Sequence, residues 1–273
     1  MINYFDFHCH LDDGKLDGTR EKVLIEMNER AFGALTIGVD HDSSVRATAI
    51  ARTNHNIWSC VGQHPLDNKA QEFKAGRYQE LIDSHREEVV AIGECGLDYF
   101  WPARDVEAGT LSEEELAEEK KRQKLLFIKN ITLAIANDLP LMLHVRSSEG
   151  SVDAHEDTLA VLAEYPEVQA VFHFYTESPE LAKRIIDAGY YISLPGVITF
   201  VDLDEMIRAI PLDRIFAETD SPYAAPAPYR GKTNNPLYVE EVYKKIAEIK
   251  NLPLEEVRTQ ILQNVTNFLQ IDF

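Results

Sequence analysis

Short apolar stretches alternate with longer amphipathic stretches along almost the whole chain, and this alternation limits the possible folds more than any other feature. The short stretches are rich in β-branched and aromatic residues with little polar alternation, which is typical of parallel strands covered on both faces. The predicted strands are residues 3–10, 34–39, 57–62, 89–94, 141–145, 169–174, 190–194 and 215–219. The predicted helices are residues 15–30, 43–55, 79–85, 112–137, 154–165, 179–188, 202–210 and 236–250. About eight strand-then-helix units predict an α/β protein with a TIM-like (β/α)8 barrel.

One further helix is predicted after the last of these units. Pro253 stands near its start, and apolar residues then recur at helical spacing. They are Leu254, Val257, Ile261, Val265, Phe268 and Leu269. The 273 residues contain no internal repeat and no linker-like segment. We therefore expect a single domain over residues 1–273, with an additional C-terminal helix packed outside the barrel, and a long loop over residues 100–111 that is either a lid or an insertion.

The charge of the chain limits the nucleic acids that it would bind. It has 27 basic and 46 acidic side chains, which give a formal net charge of −19. Such a surface repels the nucleic-acid backbone at long range, because non-specific binding to phosphates depends on Lys and Arg. Tight binding of long duplexes is therefore not expected. Any nucleic-acid substrate is therefore expected to be short, weakly held or single-stranded.

The ends and the cysteines of the sequence predict a compartment. The first residues lack a basic segment followed by an apolar one, and no stretch approaches the roughly 18 apolar residues that a membrane span needs. Cys9, Cys60 and Cys95 are an odd number and lie far apart, which favours reduced thiols. We expect a cytoplasmic protein without a membrane partner, and no obligate protein partner is evident.

Two histidines end the first predicted strand, at the end of a barrel that carries the active site. His8 and His10 are two residues apart, so they project to the same face and can both reach one ion. Cys9 between them points to the opposite face and is not expected to be a ligand. A His-x-His pair by itself is not specific for a metal site.

Four other predicted strands end near residues of the same chemistry. They are Glu94, His144, His173 and Asp220. With the first two histidines, they place four imidazoles and two carboxylates at matching ends of five strands. Imidazole and carboxylate together suit Zn, Mn, Ni, Co or Mg, so the sequence predicts a divalent-metal site without selecting the ion.

The order and spacing of several short motifs resemble the TatD family of metal-dependent hydrolases, within the amidohydrolase superfamily. The matching motifs are HCH at residues 8–10, QHP at 63–65, GECGLDY at 93–99, LPLMLHVR at 139–146, ETDSPY at 218–223 and Asn264. The resemblance extends from residue 8 to about residue 268. It implies a TIM-like barrel and, in many members, exonuclease or phosphodiesterase activity.

Carried over position by position, the resemblance implies two metal ions. His8, His10, Glu94 and Asp220 would hold the first ion, and Glu94, His144 and His173 would hold the second. Two such cations can stabilise the attacking and leaving oxygens of a phosphoryl displacement, and Glu94 is the natural bridge between them. Asp220 is the predicted base that accepts a proton from an activated water, so Glu94 and Asp220 are the predicted catalytic residues.

Further residues are predicted near the site without being ligands. Arg146 and His64 suit a phosphate or carboxylate on the substrate, although His64 would equally cap a turn before Pro65. Glu218 projects to the same face as Asp220, where it either orients a ligand histidine or is purely structural. The family usually has Cys-Phe-Ser-Gly after the sixth-strand histidine, whereas residues 174–177 are Phe-Tyr-Thr-Glu. This difference affects the expected substrate and leaves the expected metal ligands unchanged.

Three functions are compatible with these residues. The leading hypothesis is a dinuclear phosphodiesterase or exonuclease that acts on the ends of DNA or RNA. An amidase, esterase or lactonase would use the same metal site on a different bond. A metal-bound scaffold without catalysis is the third, although a scaffold has no chemical need for the complete set of ligands.

Overall fold

The fold is an eight-stranded parallel barrel. The computed structural model describes residues 2–67, 69 and 71–272. Its strands are β1 (Tyr4–Cys9), β2 (Phe32–Ile37), β3 (Ile57–Val61), β4 (Val89–Asp98), β5 (Leu141–Arg146), β6 (Ala170–Phe172), β7 (Tyr191–Leu194) and β8 (Ile215–Ala217), paired in chain order. A parallel bridge between Cys9 and Ser221 joins the two ends of the sheet, where the Asp220 N–H also donates to the His8 carbonyl at 2.9 Å. The sheet is thus a nearly closed barrel, which confirms the TIM-like (β/α)8 prediction.

Helices alternate with the strands around the barrel. They are α1 (Arg20–Glu29), α2 (His41–Arg52), α3 (Ala75–Ser84), α4 (Phe100–Glu107), α5 (Glu113–Asn137), α6 (Asp153–Leu162), α7 (Pro179–Asp187), α8 (Asp204–Ala209), α9 (Val239–Lys250) and α10 (Leu254–Leu269). Within the described part of the chain, none of these helices has the length and apolar character needed to cross a membrane.

The predicted C-terminal helix is present as α10, and its end belongs to the barrel core. One buried cluster joins the strands to the surrounding helices, whereas a second joins strand residues to the end of α10. In this second cluster the rings of Phe7 and Phe216 stack at 3.7 Å, and Phe268 contacts both rings from α10. The last turns of α10 therefore cover the apolar interior of the barrel, besides packing against its outside as predicted.

Strand β4 is four residues longer than predicted. Its pairing with β5 shifts register after Ile92 and then continues as far as Asp98. Gly93 lies at this shift with φ 150°, and a Cβ atom there would collide with the Met142 carbonyl oxygen. Only glycine fits this close approach. Glu94 therefore lies within β4 rather than at its end.

The prediction of a loop over residues 100–111 is wrong, because most of this segment is helix α4. Pro102 lies in the first turn of α4, where a backbone N–H has no partner within the helix and proline is tolerated. The Trp101 N–H donates to Asp98 Oδ1 at 3.3 Å, which ties the start of α4 to the end of β4. The Trp101 side chain is 53% exposed.

Candidate metal centre

The first group of donors lies where β1 and β8 meet. His8 is fully buried in β1, and its Nε2 atom lies 3.3 Å from His10 Nε2 just beyond the strand. Asp220 Oδ1 lies 3.4 Å from His10 Nε2 and 3.7 Å from His8 Nε2. These three side chains are close enough together to hold one ion.

The second group lies around the other oxygen of Glu94. Oε1 is 2.8 Å from His144 Nδ1, 3.0 Å from His173 Nε2 and 3.8 Å from His64 Nε2. Oε2 faces the first group, at 3.4 Å from His8 Nε2. The two oxygens of one buried carboxylate thus face different sets of imidazoles.

The structure brings all six predicted ligands into one cluster. The rings of His8 and His173 stack at 3.9 Å, so the two groups of donors are contiguous. Imidazole nitrogens this close to one another and to carboxylates are the donor set that a borderline divalent ion prefers. The residues present therefore fit a divalent metal, by their donor chemistry and by their convergence.

The charges of the cluster are tightly coupled. Burial would raise the pKa of the Glu94 carboxyl, but His173 and His8 hold this pKa well below its usual value. Burial lowers the pKa of His144, but hydrogen bonds to Asp98 and Glu94 outweigh burial and raise this pKa to about 9. Glu94 is consequently ionised, and a divalent ion would compete with protons for the imidazoles around it.

Other groups fix the orientation of three histidines by contacting one nitrogen of each ring. His144 Nε2 lies 3.0 Å from Asp98 Oδ2, and His173 Nδ1 lies 3.3 Å from Glu218 Oε1. His10 Nδ1 lies 3.2 Å from the Ile37 carbonyl oxygen. Such partners commonly set the tautomer and the orientation of a metal-binding histidine. Glu218 thus lies where it can orient a ligand histidine, which is the first of its two predicted roles.

Asp98 had no predicted role, although the sequence contains a signal for it. Glu94 and Asp98 are four residues apart, an even spacing that places both side chains on one face of a strand. The signal is visible only if β4 is continued past Glu94. Gln123 holds the backbone of Asp98 on both sides, since its side chain accepts from the Asp98 N–H and donates to the Asp98 carbonyl, both at 2.8 Å.

Replacing Asp98 with alanine is expected to weaken divalent-metal binding by about 10–100-fold, the usual cost of losing a group that orients a ligand histidine. Competition with a chromophoric chelator would measure the affinity. Asp83→Ala is the matched control, because Asp83 lies on the exposed face of α3 and pairs with Arg86. Equal affinity in the Asp98 variant and the wild type would contradict the orienting role.

The two predicted substrate-binding residues lie beside the cluster. His64 Nδ1 accepts from the N–H groups of Leu66 at 3.2 Å and Asp67 at 3.1 Å, while its Nε2 faces Glu94. His64 therefore caps a turn and also faces the site. The Arg146 guanidinium lies 3.9 Å above the Phe100 ring, and among the described residues no carboxylate pairs with it.

A cavity of about 700 Å³ contains these groups and opens at the carboxyl ends of the strands. Arg146, Asp67, Glu177 and Tyr223 contribute to its wall. Cys9 does not: it is fully buried, and its thiol donates to the Leu35 carbonyl at 3.4 Å, so it points away from the donors as predicted.

His155 lies in the cavity wall, although its sequence context suggested no role. Its side chain is buried, and Nδ1 lies 2.9 Å from the Ser147 hydroxyl. Burial lowers the pKa of His155 to about 4. The unfolded chain takes up this proton near pH 6.5, so the contribution of His155 to stability is lost as the pH falls from about 6.5 towards 4.

Replacing His155 with glutamine should therefore make the protein less sensitive to acid. Between pH 7.5 and pH 5 the wild type should lose about 2 kcal/mol more free energy of unfolding than the variant. Urea unfolding of both proteins at both pH values would measure this difference. Parallel losses in the two proteins would contradict a neutral, buried His155.

The fold and the site together define the class of protein: a metal-dependent hydrolase with an amidohydrolase-like barrel. Residues 5–270 match the family described as TatD related DNase. The chain is 31% identical over 274 residues to the uncharacterized metal-dependent hydrolase YabD of Bacillus subtilis, covering 98% of this chain and 99% of the relative. It is 31% identical over 276 residues to the uncharacterized metal-dependent hydrolase YcfH of Escherichia coli K12, covering 98% and 96%.

Solved structures agree on the fold. The crystal structure of YJJV, a TatD homologue from Escherichia coli K12, has a TM-score of 0.84 to this chain over 99% of both chains, at 23% identity. The Escherichia coli phosphotriesterase homology protein, solved with phosphate in its active site, has a TM-score of 0.63 at 13% identity, over 98% of this chain and 99% of its own. The chain belongs to the TatD family of metal-dependent hydrolases.

Proposed function

We propose that this protein is a divalent-metal-dependent phosphodiesterase that acts on the ends of DNA or RNA. The observation that supports this most is the position of Glu94, whose two oxygens face separate groups of donors. A carboxylate in this position suits a dinuclear site. The family description favours a phosphate-bearing substrate, as does the Arg146 guanidinium in the cavity wall, which pairs with no carboxylate among the described residues.

In this proposal, His8, His10, Glu94 and Asp220 hold one ion, and Glu94, His144 and His173 hold the other. When bound, such ions polarise a phosphoryl oxygen and make an attacking water more acidic. Asp220 lines the cavity with Oδ1 3.4 Å from His10 Nε2, so its carboxylate would be the group that accepts a proton from a water at the site.

Two residues position the substrate in this proposal. The guanidinium of Arg146 can donate two parallel hydrogen bonds to a phosphate, because its own contacts are with aromatic rings rather than with a carboxylate. His64 is fixed through Nδ1 by the turn that follows it, which leaves Nε2 free to contact a phosphoryl oxygen.

A hydrolase panel tests the proposal. Purified protein supplied with Mn²⁺ or Zn²⁺ would be assayed on single-stranded DNA and RNA, on a small aryl phosphodiester, and on esters, lactones and amides, with His144→Ala in parallel. We expect phosphodiester cleavage that the variant lacks. Turnover of acyl substrates alone would identify an amidohydrolase of another specificity. Bound metal without any metal-stimulated hydrolysis would favour the metal-bound scaffold.

A further inference from the structure

The exposed aromatic side chains of this protein are concentrated at one end of the barrel. Among the described residues, the large apolar side chains that are exposed include three aromatic ones: Trp101 at 53%, Tyr223 at 41% and Phe200 at 37%. Each lies on a segment that follows the carboxyl end of a strand, namely β4, β8 and β7. All three therefore lie on the same end of the barrel as the metal centre.

A cation lies against each of these rings. The Arg146 guanidinium is 5.4 Å from the Trp101 ring, Lys15 Nζ is 4.1 Å from the Tyr223 ring, and the Arg230 guanidinium is 3.8 Å from the Phe200 ring. In the described part of the chain, none of the three cations forms an ion pair with a carboxylate. This is notable in a chain with 46 acidic and 27 basic side chains.

We propose that these three aromatic–cation pairs bind nucleotides of one single-stranded nucleic acid on either side of the metal centre. This inference rests on the proposed function. The rings stack bases and the cations contact phosphates, so each pair matches the two chemical parts of one nucleotide. Trp101, Phe200 and Tyr223 would then determine the preference for substrates that carry bases.

The order of the strands supports this arrangement. The Trp101–Arg146 pair joins the segment after β4 to the last residue of β5, whereas the Tyr223–Lys15 pair joins the segments after β8 and β1. In an eight-stranded barrel paired in chain order, these two positions are opposite each other. A strand that crosses the cavity would meet one pair on each side of the cluster.

Without a ligand, hydrogen bonds already fix the Tyr223 side chain, the backbone of Trp101 and the segment beside Phe200. The Tyr223 hydroxyl donates to Asp13 Oδ2 at 2.7 Å, and the Trp101 N–H donates to Asp98 Oδ1 at 3.3 Å. The Thr199 hydroxyl, beside Phe200, accepts from the Ala227 N–H at 2.8 Å and so connects the segments after β7 and β8. A partly exposed ring whose backbone or hydroxyl is already fixed loses less conformational entropy when a base stacks on its open face.

The test compares two ligands with equal numbers of phosphates. A short oligothymidylate and an abasic sugar–phosphate oligomer of the same length would be titrated into metal-loaded protein carrying Asp220→Asn, which slows turnover. We expect the oligothymidylate to bind at least about 5-fold more tightly, as one stacked base would require. Combined Trp101→Ala, Phe200→Ala and Tyr223→Ala changes should remove this preference.

Fluorescence gives a readout that does not depend on hydrolysis. The chain has two tryptophans, and Trp58 is only 9% exposed, so a stacked base should quench mainly Trp101. Leu125→Ala is the matched control for loss of an exposed apolar side chain, since Leu125 on α5 is 55% exposed. Trp101→Phe keeps an aromatic face and should retain most of the preference.

The inference would be overturned if protein with all three rings bound the two oligomers equally tightly. It would also be overturned if the triple alanine variant kept the preference for oligothymidylate. Either result would leave the proposed function intact if the small aryl phosphodiester is still hydrolysed. Failure to hydrolyse any phosphodiester would instead count against the proposed function, whatever the binding data show.

Discussion

Replacing Glu94 with glutamine is expected to abolish measurable hydrolysis and to lower the affinity for divalent metal by more than about 100-fold. Loss of a group that only hydrogen-bonds to a metal ligand already lowers this affinity by roughly 10–100-fold, and Glu94 is itself a predicted ligand. Glu94 is the carboxylate whose oxygens lie 3.4 Å from His8 Nε2, 2.8 Å from His144 Nδ1 and 3.0 Å from His173 Nε2. A glutamine amide keeps the shape of the side chain. It replaces one oxygen with an NH₂ group, which cannot bind a cation, so one group of donors loses its shared ligand.

Metal content by elemental analysis and affinity by chelator competition would measure this effect. Glu87→Gln is the matched control, because Glu87 is exposed and lies two residues before β4. Circular dichroism would establish that both variants are folded. Full metal content in a folded Glu94→Gln protein would contradict the role of Glu94 as the shared ligand.

Replacing Asp220 with asparagine should lower kcat by about 10²–10⁴-fold, the range attributed to general acid–base catalysis. The asparagine carbonyl oxygen can still approach an ion, but the amide cannot accept the proton of an attacking water. We therefore expect a larger loss in kcat than in metal content. Because the backbone of Asp220 is bonded to His8 at the junction of β8 and β1, the substitution keeps the local geometry.

Steady-state kinetics on the best phosphodiester from the hydrolase panel would give kcat and KM for this variant. Asp187→Asn, on the exposed face of α7, removes a carboxylate of the same kind far from the cluster and should leave both constants unchanged. An Asp220→Asn enzyme with wild-type kcat would show that the base is another residue.

The barrel could be predicted from the sequence because apolar runs report burial. The exact ends of the strands could not, because burial continues where hydrogen bonding between strands stops. β6 ends at Phe172 and β8 at Ala217, yet His173 is still buried and Asp220 is still bonded to β1. Loops at the carboxyl ends of barrel strands are packed into the site, so their composition resembles that of the strands.

The predicted ligands converge in space, but the groups that orient them were only partly visible in the sequence. Glu218 could be paired with a histidine because it shares a face with Asp220. Asp98 was missed because the predicted strand stopped at Glu94, and an apolar pattern does not record a register shift such as the one at Gly93. The helix that carries Trp101 was missed because Pro102 resembles a loop residue.

The net charge of −19 is shared by the mouth of the barrel, since the cavity wall has six carboxylates but only two cations, Arg46 and Arg146. Arg146, Lys15 and Arg230 lie at the end that carries the site, each against an aromatic ring. The sequence alone could not place these cations together, because they follow three different strands. Divalent ions, when bound, would add positive charge among the carboxylates that these cations do not offset.

We propose that Glu94 joins the two groups of donors into one dinuclear metal site. Crystals grown with Mn²⁺ and measured near the manganese absorption edge test this dinuclear site directly, because an anomalous difference map locates each ion. We predict two peaks, one beside His8, His10 and Asp220 and one beside His144 and His173, with Glu94 between them. A single peak, or peaks away from Glu94, would contradict the claim.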